Sequence, residues 1–185
     1  MTLLEMKKKV LQLIEEIDDS AKLTSDPDIA AKLNSVINQV QFEFARMKKI
    51  PASATVEIKA NELFDLRTLT DFYQLMTFRL LSEGNPDASY EMFNNTILAT
   101  DDCTALMLYY KYPAVINDDT ADDYEFELSQ DALEIMPYGV AADLLKSDVS
   151  TNYGAVYSQR YETMLQRLDP RYSLGGITFT GGIDI

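Results

Sequence analysis

The side chains best suited to chemistry in this chain are its carboxylates. Asp118, Asp119, Asp122, Asp123, Glu125 and Glu127 crowd the stretch NDDTADDYEFEL, residues 117–128. Oxygen donors at that density can hold Ca²⁺ or Mg²⁺. Their order does not match a known loop, because the D-x-D-x-D-G alternation and glycine of an EF-hand are missing. A solvated acidic loop is the simpler reading, since like-charge runs are usually exposed. Asp101 and Asp102 read as turn residues. A carboxylate pair for glycoside hydrolysis has no spacing to select it, and there is no tryptophan to seat a sugar.

The remaining reactive types are scarce. With no histidine in the chain, Ser-His-Asp and Cys-His catalysis, histidine zinc sites and the usual proton shuttle are ruled out. Cys103 is the single cysteine. It has no partner for a disulfide and no histidine or second thiol to activate it. No Walker loop or strand-following G-x-G-x-x-G occurs, and the pairs Gly175-Gly176 and Gly181-Gly182 lie too late to open a phosphate-binding helix. These features predict a non-enzyme with no catalytic residue, no cofactor and no metal.

Aromatic residues are the other abundant resource, with 11 tyrosines and 8 phenylalanines. They could stack single-stranded nucleic acid. The formal charge of −14 opposes a phosphate-gripping surface. Core and interface packing is the expected use. Tyr153, Tyr157 and Tyr161 stand four apart and mark one helix face, a candidate packing or oligomer seam.

The elements that must carry these residues can be read from periodicity. Residues 3–19 predict a first helix on Met6, Val10, Leu13, Ile14 and Ile17. A second starts near Asp26-Pro27-Asp28, with Asp26 as cap. It carries Ile29, Leu33, Val36, Ile37, Val40, Phe44 and Met47, and Pro51 prevents its continuation. These two helices are expected to pack antiparallel. Thr55–Lys59 reads as a strand, Phe72–Leu81 as an ambiguous one, and Asp65–Arg67 as a short helical turn. Ser89–Phe93 and Thr96–Thr100 flank Asn94-Asn95. Ala105–Tyr112 follows, with Leu106, Leu108, Tyr110 and Tyr112 on one face. A third helix begins at Ser129, with Leu128 and Leu133 as a hydrophobic staple. Pro137 predicts a kink or a junction of two shorter helices. Ser150 or Thr151 caps a fourth helix running to about Leu168.

The expected fold is therefore α+β and mainly helical. It has about four helices as two antiparallel pairs, a small inserted antiparallel β-sheet and an extended C-terminal arm. The expected division is 1–50 plus 128–169 helical, 51–127 inserted β subdomain with the acidic loop, and 170–185 arm. In that arm Ile177-Thr178-Phe179-Thr180 alternates and is bracketed by glycine pairs. Such a segment can add to another chain's sheet edge, add to its own, or stay loose. The N-terminus has no signal-peptide pattern, and no apolar run approaches a membrane span. With a lone cysteine, this places folding in a reducing cytoplasm.

The order of these pieces resembles the head-tail connector, or neck adaptor, proteins of long-tailed phages. The matching stretches are Asn95-Thr96-Ile97-Leu98, Leu108-Tyr109-Tyr110-Lys111-Tyr112-Pro113, Leu133–Ala142, and Tyr157, Tyr161 and Leu165 four apart. The resemblance implies a structural protein of the virion neck, assembled in the host cytoplasm. It implies a homo-oligomeric ring of about twelve copies. The ring would bind the portal protein and a downstream neck or tail protein, with no membrane partner. DNA would pass through its lumen without specific binding. Ile177, Phe179, Ile183 and Ile185 would form a portal- or neighbour-docking arm. Asp118, Asp119, Asp122 and Asp123 would line the lumen. The competing expectations are another virion assembly protein, for tail completion or scaffolding, and a non-enzymatic helical interaction protein.

Overall fold

The computed structural model describes residues 1–16, 23–24, 26–81, 89–146 and 152–168. Its helices are α1 (Leu3–Leu13), α2 (Pro27–Lys48), α3 (Gln130–Leu144) and α4 (Tyr153–Arg167). Its strands are β1 (Ile50–Ile58), β2 (Leu63–Asp65), β3 (Phe72–Leu80), β4 (Tyr90–Phe93), β5 (Thr96–Ala99) and β6 (Cys103–Lys111), with a 3-10 turn over Leu66–Thr68. Helix accounts for 44% and strand for 28% of the structure. The expectation of a mainly helical chain with one small inserted sheet is therefore corrected to a mixed α+β fold with two antiparallel sheets. Two compact units form. One is Met1–Gln41 with Ile116–Ile185, and the other is Phe42–Val115.

In the first unit, α3 is apolar around most of its circumference. Ala132, Leu133, Ile135, Met136, Pro137, Gly139, Val140 and Ala141 are all buried. A helix of that kind must be covered on several sides. α1, whose Leu3, Met6, Val10 and Leu11 are buried, packs against it, and α4 packs along it as well. α3 is one helix running through Pro137, not two meeting there. The missing proline N–H leaves the Leu133 carbonyl without its helical donor. Leu128 and Leu133 are both buried, as a staple requires, but the Ser129 side chain makes no capping bond.

The first turn of α1 is fully satisfied. Thr2 and Glu5 form a reciprocal capping box. The Leu3 and Leu4 N–H groups donate to the carbonyls of Tyr124 (2.8 Å) and Asp122 (3.0 Å). All four donors that a helix start leaves open thus find acceptors. This fastens the acidic stretch to the N-terminus, where Thr2 and Glu125 form an antiparallel bridge. α2 begins as expected, with the Asp26 carboxylate accepting from the N–H groups of Asp28 and Ile29.

α1 ends at Leu13, short of the expected residue 19. The Glu16 N–H donates to the Leu11 carbonyl and the Glu15 N–H to the Gln12 carbonyl, with Glu15 at φ 60°. That is a Schellman stop built on a non-glycine residue, which no glycine or proline in the sequence announces. α1 packs against α3, and it shares a cavity lining with α2 through Lys7 and through Ala30, Leu33 and Asn34. The α3–α4 pair does form. α4 begins after Asn152, and the proposed caps Ser150 and Thr151 lie outside the described residues.

In the second unit the sheet orders are β1-β6-β3 and β2-β5-β4, all antiparallel. Their inner faces share one core of Ile58, Leu66, Phe78, Ile97, Ala99, Ala105 and Met107. β1 starts five residues before the expected Thr55, because Pro51 sits on an edge strand that needs no donor on its free side. β6 buries Ala105, Met107 and Tyr109, whereas the Leu106, Leu108, Tyr110 face is the more exposed one. The Asp102 carboxylate ties two turns by accepting from the Ala60 N–H (2.8 Å) and the Lys59 ammonium (3.2 Å).

Two outcomes follow from this geometry. Glu15→Gly removes left-handed strain and a carboxylate from a helix C-terminus. It should raise the unfolding free energy by roughly 1 kcal/mol in urea titration. The Ala60 N–H, and after it Lys59, hold the Asp102 carboxyl below its ordinary range. A depressed folded value contributes stability above the unfolded pKa of about 4, which is lost as pH falls through the folded one. Thermal unfolding scans of Asp102→Asn should therefore show a shallower loss of Tm below about pH 4 than those of the native chain.

Candidate assembly surface

α4 carries the tyrosine stripe, and it has no buried residue. The stripe splits. The Tyr157 hydroxyl donates to the Leu13 carbonyl at the end of α1. Its ring lies 6.3 Å from that of Tyr138 on α3, and the Arg160 guanidinium sits 4.3 Å from the centre of the Tyr138 ring. Tyr161 lies over Gly139, where a Cβ would come within 2.8 Å of the tyrosine ring. Further along, a Cβ on Gly154 would meet the Leu145 carbonyl at 3.0 Å. The order of these contacts makes α3 and α4 antiparallel. Glycine at 139 is thus a packing requirement that lets an aromatic ring approach the helix backbone.

Tyr153 does not share this packing. It is 56% exposed, and Val156, close to it on the helix, is 54% exposed. The outward face of α4 therefore presents apolar area beside Arg160, while Tyr157 and Tyr161 fix the helix to its own unit.

The acidic stretch is ordered by local bonds. Asn117 accepts from the Asp119 N–H, and its own N–H donates to the Thr120 hydroxyl. Asp118 accepts from the Asn34 amide at 2.9 Å, and Asp122 pairs with Lys7 at 3.5 Å. Asp118, Asp119, Asp122 and Asp123 are exposed. Among the described residues no three His, Cys, Asp or Glu side chains stand where they could share a metal ion. Nearby, a cavity of about 230 Å³ is lined by Lys7, Leu23, Thr24, Ala30, Leu33 and Asn34. The arm residues Ile177, Phe179, Ile183 and Ile185 lie outside the described residues.

Cys103 opens β6 half-buried. Burial, then Asp101 and Asp102, push its thiol up, away from the reactive thiolate. The Tyr109 hydroxyl donates to Asp71 at 3.0 Å, and burial first, then this bond, raises its pKa. Among the described residues no helix is long and apolar enough to cross a membrane.

Sequence reasoning missed a second apolar surface on the β unit. Every residue of β4 is exposed, including Tyr90, Met92 and Phe93, and Leu63 of β2 is 66% exposed. The available signal was YEMF beside the Asn94-Asn95 turn, a run too apolar for its place at a hairpin tip.

The Gly139–Tyr161 contact makes a measurable claim. Gly139→Ala gains helix propensity of about 1 kcal/mol but drives a methyl into the ring. In a Tyr161→Ala background that gain should appear as added stability; with Tyr161 present it should vanish or reverse. The double-mutant cycle, read by urea unfolding, should give a coupling of at least about 0.5 kcal/mol.

Neither a scan against family models nor a comparison with curated proteins finds a match to this chain.

Proposed function

We propose that the chain is a non-enzymatic structural protein of the virion neck of a long-tailed phage, a head-tail connector. Copies form a ring beneath the portal, extend the DNA channel and dock the next neck or tail protein. One observation carries this reading. Leu133–Ala142 and the stripe of Tyr157, Tyr161 and Leu165 are two of the stretches that resemble connector proteins, and their helices pack on each other as one hairpin, with Tyr161 over Gly139. That hairpin still offers Tyr153 and Val156 outward for another chain.

Charge supports the same reading. A chain of net −14 holds DNA weakly, which suits a channel through which DNA must slide. Asp118, Asp119, Asp122 and Asp123 form the segment proposed to face the lumen. Ile177, Phe179, Ile183 and Ile185 are proposed to dock on the portal or on a neighbouring copy. Each contact can be modest, because ring closure makes the contacts reinforce one another.

Electron microscopy of particles assembled without the protein tests the proposal. Full, DNA-filled heads that lack tails are expected. Absent or aberrant heads would indicate scaffolding instead, and normal tailed particles would remove the neck role.

A further inference from the structure

The two sheets present four outer edges, and three of them are blunted. β2 has 3 residues and β4 has 4. β3 pairs with register shifts between Phe72 and Gln74 and between Leu75 and Thr77. Short or bulged edges resist the addition of another strand. β1 has neither protection. It is 9 residues long and pairs with β6 in unbroken register from Ile50 to Ile58. Its only charged residue is Glu57, and its only proline, Pro51, stands near one end. Among the described residues, no backbone hydrogen bond reaches its free side.

The edge also has a shape. Ile50, Ala52, Ala54, Val56 and Ile58 share one face. The two isoleucines are buried, and the three small residues between them stay half-buried. Ala52 and Ala54 are small, and Val56 packs against the core of the unit. The opposite face carries Ser53, Thr55 and Glu57, all exposed. A strand that fits this edge alternates large apolar and small polar side chains. Ile177-Thr178-Phe179-Thr180 has that pattern, and its flanking glycine pairs can turn into and out of the pairing.

We propose that Ile177–Thr180 of a second copy adds to the free edge of β1 as a fourth strand of the β1-β6-β3 sheet. Ile177 and Phe179 lie beside Ala52, Ala54 and Val56, and Thr178 and Thr180 lie beside Ser53 and Thr55. Main-chain hydrogen bonds supply affinity and the alternating rows supply register. The choice of a second copy rests on the connector reading. Each ring member offers one edge and one arm, and head-to-tail exchange occupies every edge around a closed ring.

Full-length chains in a Cys103→Ser background test this. One chain carries Ser53→Cys or Thr55→Cys, and the other carries Thr178→Cys. A control chain carries Val115→Cys, at a position 65% exposed on no strand. The chains are mixed, assembled into rings and oxidised. Disulfide-linked pairs between position 178 and position 53 or 55 should exceed the control by at least about tenfold, as a docked arm raises the local thiol concentration. Phe179→Pro should bring them to the control level. Rings that form with only control-level linkage would overturn the strand exchange and leave the connector reading standing. In a further chain carrying both Ser53→Cys and Thr178→Cys, a disulfide confined within that one chain would overturn it too, by placing the arm on its own sheet. Failure to form rings under any assembly condition would overturn the connector reading, and the exchange with it.

Discussion

The first unit depends on burying α3. Eight of its residues are buried around a helix that also contains a proline and a glycine, both poor helix formers. Such a segment is helical because its neighbours enclose it, not because it prefers to be. Enclosure sets the other positions. α1 must lie on one side, so its first turn is fastened through Tyr124 and Asp122 and its end is stopped at Glu15. α4 must lie on another, so Gly139 yields its side chain to Tyr161, and Tyr157 reaches back to the Leu13 carbonyl. At ~25 cal/mol per Å², a well-buried Leu, Ile, Val or Met each contributes ~1.5–3 kcal/mol, so the helix core outweighs any single capping bond.

The second unit rests on a different constraint. Neither three-stranded sheet can bury both of its faces. The inner faces meet over Ile58, Phe78, Ile97 and Met107, while Leu63, Phe93 and Leu108 on the outer faces stay exposed, as do Met76 and Met92. A protein that works by assembly uses such area, because apolar surface left on one chain becomes burial when chains meet. The outward face of α4 and the free edge of β1 belong to the same account. Together they give the chain more than one surface to share, which a closed ring and its neighbours require.

Much of this could be read from residue order, with instructive failures. Periodicity located α2, α4, β4, β5 and β6 closely, because caps, prolines and Asn-Asn or Asp-Asp turns mark their ends. It misplaced the end of α1 because the stop is a left-handed glutamate, a conformation with no compositional mark. It did not reveal that α3 lies against α1, because a stripe shows that a face is buried but not which elements bury it. It put Leu106, Leu108 and Tyr110 on one face of β6 but did not say which face is buried, because both faces of that strand are apolar and alternation could not select the inner one. It undercounted strand because Pro51 reads as a stop until the strand is known to be an edge. Of the candidate site, the tyrosine spacing was legible, but the split between Tyr153 and the two inward rings needed the partner helix.

The central claim is that this chain occupies the virion neck as a ring. Electron cryo-microscopy of the assembled particle, with the neck reconstructed at a resolution that shows helices, tests it most directly. The account predicts a ring of density beneath the portal, each copy accommodating the α3–α4 hairpin and the two-sheet unit, with DNA on its axis. A neck built without this chain, or this chain found only in tail, capsid interior or soluble fraction, would contradict it.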